Sequence, residues 1–370
     1  MKPKIYAYSP FIKFLGGGEK YFANILEAIQ EIMDVILICH EEEVQFLSQI
    51  PKLYNVNLSK VSLIKAKITS EADIQNIVSP DSIFFQVSNG APLMVNCKKR
   101  ILHHQIIYSK TDVLELAKNF PQLSNDTVFA EIKNRFLSQD YIFFSSNFIK
   151  QFMNDYWSLP QDKCFVIYPF VSDNFFKYPN DKKQLKIISV GRFEPIKKQK
   201  SQIELFIKMF PHLPDDYRLV LIGSNKTPLS LQLEKMVLGY PIEIKYALSE
   251  SELLNEYSNA SLYWSTTGMG VNDLYQTHNV ESFGLAMAES MASGCVPVAI
   301  NAGGVSEIIE NGYNGFLPTN MENFESSSKK LLTSPQLLQT MSQNAHNSIK
   351  FFSRNIFKKK IEGLFMSLNV

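Results

Sequence analysis

Two glutamates eight positions apart, Glu281 and Glu289 in the stretch ESFGLAMAE, frame a run of small and apolar residues. Gly284 lets the backbone come close to a ligand. The segment 285–293 reads as a helix, so its start presents amide donors and the positive end of a dipole to a phosphate. Glu281 then precedes the helix, and Glu289 lies about one turn inside it, several ångströms along the axis at roughly 1.5 Å per residue. Acids so spaced reach opposite ends of one extended ligand, while Ala286, Ala288, Ala292 and Gly294 keep the wall around them thin. Two surface glutamates near a helix start would be the plainer account. Against it, Gly303 and Gly304 form a second tight turn just after an apolar strand, and Glu307 follows at another helix start.

A second candidate lies upstream in ISVGRFEPIKKQK, where a strand ends at Val190 and a glycine turn leads to Arg192 and Lys197. Cations at the carboxyl end of a strand face the crevice where α/β sheets bind ligands, and there they pair with phosphate. Taken alone, the segment reads equally well as a solvated basic turn. In the first half of the chain, RILHHQ closes another strand with His103 and His104. A histidine in such a place is more often structural than catalytic.

The elements that must position these groups alternate. Residues 4–9 read as a strand, 14–19 as a glycine-rich turn, and 20–32 as a helix with Phe22, Ile25, Leu26 and Ile29 at helical spacing. Residues 35–39 are a continuous apolar run suited to a buried parallel strand. Further runs fall at 82–87, 100–103, 141–145 and 164–167. A stretch rich in Pro, Asp, Asn and Lys around 168–183 reads as a linker, and a second series follows at 185–190, 218–222, 243–246, 261–264, 295–300 and 315–317. At 370 residues the chain exceeds what one core usually serves. The expected fold class is therefore α/β, with two Rossmann-like doubly wound domains facing each other across a cleft. The expected divisions are an N-terminal domain over 1–172, a linker over 173–184, a C-terminal domain over 185–345, and a closing helix within 346–370 that packs on one domain or crosses back to the first.

Composition narrows the function classes. A formal net charge of +1 argues against a general nucleic-acid surface, although the local basic cluster of Lys197, Lys198 and Lys200 leaves an anion site open. Cys39, Cys97, Cys164 and Cys295 match neither a zinc spacing nor a redox pair, as expected of free thiols in a reducing compartment. No apolar run reaches the 18 or so residues of a membrane span. The expected location is cytoplasmic. The amphipathic FFSRNIFKKKIEGLF and the basic Lys13, Lys20, Lys98, Lys99 and Arg100 leave peripheral contact with the inner face of a membrane open.

The motifs also carry a family resemblance. ESFGLAMAE resembles the Glu-x7-Glu motif of the retaining GT-B glycosyltransferases typified by family 4. SVGRFEPIKK resembles that family's Val-Gly-Arg segment with a lysine five positions on, GCVPVAINAGGVSEIIENGYNGFLP is similar to its C-terminal signature, and LGGGEKYFANIL resembles its glycine-rich loop and first helix. The resemblance implies that Glu289 holds the ribose hydroxyls and that Glu281 stands beside hydroxyls of the donor sugar. Arg192 and Lys197 would neutralise the diphosphate. Amides of Phe283, Gly284 and Leu285 would complete the cradle, and Gly17 and Gly18 would close on the donor from the first domain. It also implies a first-domain histidine that reaches the donor sugar, with His103 the first choice and His104 the second.

The implied reaction moves a sugar from a nucleoside diphosphate sugar to a hydroxyl of a glycan or lipid-linked acceptor, with retention of configuration. No metal or other cofactor is expected, since the chain has no Asp-x-Asp. Two departures stand out. Lys198 occupies the place where the family usually has glycine, and YWSTTGMGVNDLYQTHNVESFG is a longer approach to the first glutamate, in which His278 reads as a loop residue. The alternatives are a non-catalytic sugar-nucleotide or glycan-binding subunit of the same fold, or a sugar-nucleotide epimerase. A dinucleotide oxidoreductase fits less well, because GGGEKY lacks the full GxGxxG pattern.

Overall fold

The computed structural model describes residues 2–177, 185–213, 217–271 and 279–367. Of the expected linker, 178–184 lies outside the described residues, as does His278 with the rest of 272–278. The chain divides into two compact units, Met1–Pro169 with Asn355–Val370, and Phe170–Arg354.

The first unit is built on seven parallel strands in the order β3-β2-β1-β4-β5-β6-β7. These are β1 (Lys4–Tyr8), β2 (Asp34–His40), β3 (Ser62–Ala66), β4 (Ile83–Ser88), β5 (Lys99–His104), β6 (Tyr141–Phe144) and β7 (Cys164–Val166). The central strands are apolar runs because both faces of a parallel sheet are covered. The edge strand β3 escaped the sequence reading because its residues stay exposed or half-exposed. The first helix spans Gly17–Ile29, starting three residues before the position expected from its apolar period. Gly16 is extended and acts as its N-cap, and the Gly16 amide donates to Glu19 Oε2 at 2.8 Å. Burial pushes the Glu19 carboxyl up despite that bond.

The last helix, Arg354–Ser367, buries Phe357, Ile361 and Phe365, one residue per turn of its inner face. Its residues from Asn355 onward belong to the first unit, where Phe365 meets Phe85 and Phe143 edge-on.

The second unit holds five parallel strands in the order β10-β9-β8-β11-β12. They are β8 (Lys186–Val190), β9 (Arg218–Gly223), β10 (Ile242–Tyr246), β11 (Leu262–Ser265) and β12 (Val296–Ala299). Trp264 anchors the core, edge-on to Phe324 at 5.5 Å. The strand expected at 315–317 is reduced to a single bridge, in which Phe316 bonds both ways with β12: its amide donates to Pro297 and its carbonyl accepts from Ala299. Gly315 is needed there, since a Cβ would come within 2.6 Å of the Pro297 ring. Part of the expected linker is also packed structure. Asp173–Lys177 forms a 3-10 turn whose Phe175 is fully buried against Tyr257.

In each sheet the strand order reverses once, between β1 and β4 and between β8 and β11. Loops diverge at the carboxyl ends of such strands and open a crevice for a ligand. Among the described residues no helix is long and apolar enough to cross a membrane.

Candidate active site

The candidate residues of the second unit gather at its own reversal point. β8 ends at Val190, and the chain turns through Gly191 and Arg192 into a 3-10 turn, Pro195–Lys197, before the helix Gln199–Met209 begins. β11 ends at Ser265, one strand away, and runs into Thr266 and Thr267. Between them lies a small polar pocket of about 20 Å³, lined by residues that include Lys197, Gln199, Gln202, Tyr263, Thr267 and Glu281. That volume holds a water molecule or a single polar group of a larger ligand.

Lys197 and Glu281 meet in this pocket. The lysine Nζ donates to Glu281 Oε2 at 2.7 Å, with both side chains 22% exposed. The sequence assigned the two residues to separate parts of a ligand; the structure joins them as an ion pair between segments 84 residues apart.

Glu281 is held there by backbone chemistry. It bridges to Gly303, and its carbonyl accepts from the Gly304 amide at 2.7 Å. Gly303 adopts φ +86°, and a Cβ on it would fall 2.2 Å from the Glu281 oxygen; one on Gly304 would fall 2.3 Å from the Ser282 oxygen. The double glycine is thus the space that the Glu281–Phe283 segment occupies.

Gly284 follows with φ +96°, a left-handed N-cap to the helix Leu285–Ala292. The N–H groups of that helix's first turn have no acceptor within the helix, and its dipole favours negative charge at this end. Phe283 is buried, with its ring 5.4 Å from Phe352. Glu289 sits inside the helix, only 7% exposed. Tyr263 lies within electrostatic reach of both glutamates. Burial, then the charges of Glu281 and Glu289, hold its phenol well above the ordinary value, and its hydroxyl donates to the Val190 carbonyl at 3.0 Å.

Arg192 is not drawn into the pocket. Its guanidinium is 69% exposed and pairs with Glu194 at 3.0 Å. The turn beyond it depends on Lys198, which adopts φ 54° and ψ 32°, the left-handed conformation that favours glycine. The one departure from the resembled motif in this segment is therefore a lysine that bears a glycine's backbone.

In the first unit the glycine-rich segment and the histidines have local structural roles. Gly17 and Gly18 open the first helix, and a Cβ on Gly18 would lie 2.6 Å from the Gln105 side chain. His103 and His104 were expected at a ligand-facing strand edge. Both are instead fully buried, on opposite faces of β5, a strand paired on each side. His103 packs on the Tyr21 ring at 4.4 Å, and His104 lies edge-on to Phe136 and Phe144. Burial lowers His103 to about 3, aided by the neighbouring His104, and lowers His104 to about 4 against the pull of the Ser88 carbonyl. Both rings are thus enclosed within the first unit and held neutral at pH 7.

The sequence reading missed Thr266, Gln199, Gln202 and Tyr263. The signal available was STTG at the end of a predicted strand, a cluster of hydroxyls where a parallel sheet presents its ligand-facing loops.

The arrangement, two Rossmann-like α/β units with a cation, carboxylates and a helix start at a strand-order reversal, is the GT-B architecture. Residues 171–348 match the family model of glycosyl transferases group 1. The GDP-Man:Man(3)GlcNAc(2)-PP-Dol alpha-1,2-mannosyltransferase of Xenopus tropicalis is 27% identical over 251 residues, 61% of this chain and 49% of that protein. A probable sucrose-phosphate synthase of Thermosipho melanesiensis is 31% identical over 180 residues, 46% of this chain and 40% of that protein. The chain thus spans about half the length of the relatives it matches, or less. Among solved structures, Anabaena HepE in complex with UDP superposes with a TM-score of 0.72 at 16% identity, covering 99% of this chain and 100% of HepE. The likeness to solved structures shows the GT-B fold, and the family match falls within the second unit.

Proposed function

We propose that this chain is a retaining glycosyltransferase of the family 4 type, moving a sugar from a nucleoside diphosphate sugar to a hydroxyl of a glycan or lipid-linked acceptor. The observation that carries this reading is the Lys197–Glu281 pair at the β8/β11 reversal, beside the start of the helix Leu285–Ala292. A lone cation there suits any anion. A cation shared with a carboxylate, next to a helix dipole, suits a ligand with both phosphate and hydroxyl groups.

In this reading Lys197 turns from Glu281 toward the diphosphate, with Arg192 following from its exposed position. The amides of Phe283, Gly284 and Leu285 take phosphate oxygens. Glu281, released from the lysine, accepts from donor-sugar hydroxyls, and Glu289 accepts from the ribose. The bond from the anomeric carbon to the diphosphate oxygen breaks as the acceptor oxygen bonds to that carbon on the same face. The acceptor's proton passes to the departing phosphate, so no protein base is required. Lys197 and the helix-terminal amides stabilise the charge that builds on the leaving group. Two cations take the place of a metal ion, and turnover continues in excess chelator.

The test is turnover. Wild-type protein is incubated with UDP-, GDP- and ADP-sugars plus oligosaccharide and lipid acceptors, products are identified by mass, and the anomeric configuration is read by NMR. Lys197→Ala is expected to lower turnover by roughly 2–4 kcal/mol in barrier, as for a lost oxyanion-hole donor. Near-normal turnover in that variant, or an inverted product, rejects the mechanism.

A further inference from the structure

Thr266 is completely buried just past the end of β11, and its hydroxyl makes contacts that serve no element of the sheet. Its Oγ1 lies 3.1 Å from the carbonyl of Lys197 and 3.3 Å from that of Lys198, so one O–H is shared between two acceptors. The same oxygen accepts from Gln202 Nε2 at 3.0 Å. Gln202 is 1% exposed and stands on the helix Gln199–Met209, which begins immediately after the turn. Gln199, on the same helix, donates to the Arg192 carbonyl at 2.8 Å and holds the other end of the segment.

The turn so gripped is one that resists its own conformation. Lys198 is left-handed without being glycine, a state that side chains disfavour and that persists only where the surroundings over-determine it. The Thr266 hydroxyl adds a side-chain grip on the Lys197 and Lys198 carbonyls to the turn's own backbone bonds, in which the Lys198 amide donates to Pro195 and the Lys198 carbonyl accepts from the Ser201 amide. Lys197 carries the ammonium of the pocket, so the position of that ammonium depends on the carbonyls that Thr266 holds.

We propose that Thr266, seated by Gln202, is a positioning residue that fixes the strained Lys197–Lys198 turn and thereby sets the Lys197 ammonium for a diphosphate. The proposal rests on the reading of Lys197 as the phosphate-neutralising cation. Thr266 does not line the pocket and acts through the lysine's backbone, whereas Gln202 both lines the pocket and seats Thr266.

The experiment has two arms, so that failure of the brace and failure of the nucleotide reading are told apart. In the ligand-free protein, Thr266→Val removes the hydroxyl at nearly constant shape. Hydrogen exchange at the Lys197 and Lys198 amides, which bond to the Glu194 and Pro195 carbonyls, is expected to speed up at least tenfold, with core amides of β8 and β11 unchanged. Thr266→Ser, which keeps the oxygen, is expected to restore wild-type exchange. Unchanged exchange in the valine variant overturns the brace, and so does loss of protection throughout the second unit in the serine variant.

In the second arm, UDP, GDP and ADP are titrated into four proteins: wild type, Thr266→Val, Lys197→Met and the double variant. Thr266→Val is expected to weaken the nucleotide that binds wild type about tenfold, but less than twofold once Lys197 is methionine. An equal loss in both backgrounds overturns action through the lysine. If none of the three nucleotides binds the wild type, the nucleotide reading and the positioning role fall together, while the exchange arm still decides whether the brace exists.

Discussion

The Lys197–Glu281 pair can be weighed by a double-mutant cycle in which stability and ligand binding move in opposite directions. Two unit charges 4 Å apart interact by about 4 kcal/mol at an effective dielectric of 20. This pair is closer, at 2.7 Å, but each side chain keeps 22% of its surface in solvent, which screens it. Exposed pairs contribute about 0.2–1 kcal/mol, whereas breaking a buried one costs about 3–5 kcal/mol. Lys197→Met and Glu281→Gln should each fall between, destabilising the second unit by about 1–3 kcal/mol, with a coupling of about 1–2 kcal/mol in the double variant. The structure supplies the probe. Trp157 and Trp264 are each fully buried, one in each unit, so urea unfolding in a Trp157→Phe background follows the second unit alone. Because Glu281→Gln also removes a negative charge beside the proposed diphosphate site, it should tighten binding of free UDP or GDP even as it loses stability and turnover. A coupling under about 0.3 kcal/mol, or a Glu281→Gln variant that binds nucleotide as poorly as Lys197→Met, refutes the reasoning.

Three further outcomes follow from geometry. Lys198→Gly relieves a left-handed lysine at a cost in unfolded-chain entropy, so a net stabilisation of about 0.5–1 kcal/mol is expected in the same urea assay, and a destabilisation contradicts the strain argument. Gly303→Ala drives a methyl to 2.2 Å from the Glu281 carbonyl and should cost about 3 kcal/mol or more while abolishing nucleotide binding, so near-wild-type behaviour in both would show that the segment yields freely. His103 and His104 are held neutral in the folded state, at about 3 and about 4, and take up protons near 6.5 once unfolded. The first unit's stability should therefore be level above pH 6.5 and fall as pH drops from there toward 4, by up to about 1.4 kcal/mol per pH unit per histidine. Trp157 fluorescence in a Trp264→Phe background reads this slope, and His104→Leu should reduce it; a flat profile contradicts it.

Much of the fold was legible because parallel strands covered on both faces are largely apolar runs, unbroken in VILIC and interrupted only by Gln86 in IFFQV. The strand β3 was not, since an edge strand in SLIKA buries too little to leave that signature. The helix start at Gly17 was hidden because glycines read as a turn, whereas Gly16 serves as a cap completed by Glu19. Within the site, Glu281, Glu289 and Lys197 were recognisable as residue types at a predicted strand end or helix start. Their partners were not. The contact of Lys197 with Glu281, and of Thr266 with the Lys197 carbonyl, depends on β8 and β11 lying side by side, and strand order is not written in either segment. His103 and His104 misled for the same reason. They close an apolar run, but that run is an interior strand, and both faces on which its side chains lie are covered.

The account stands most directly on calorimetric titration of UDP, GDP and ADP into the wild-type protein, Lys197→Met and Lys208→Met. Lys208 pairs with Glu325 on the same unit's surface and controls for loss of a positive charge. The account predicts that one of the three nucleotides binds, that Lys197→Met weakens it at least tenfold, and that Lys208→Met leaves it within twofold of wild type. No binding of any nucleotide to the wild type, or equal losses in the two variants, would contradict the claim that the Lys197–Glu281 pocket receives a nucleoside diphosphate.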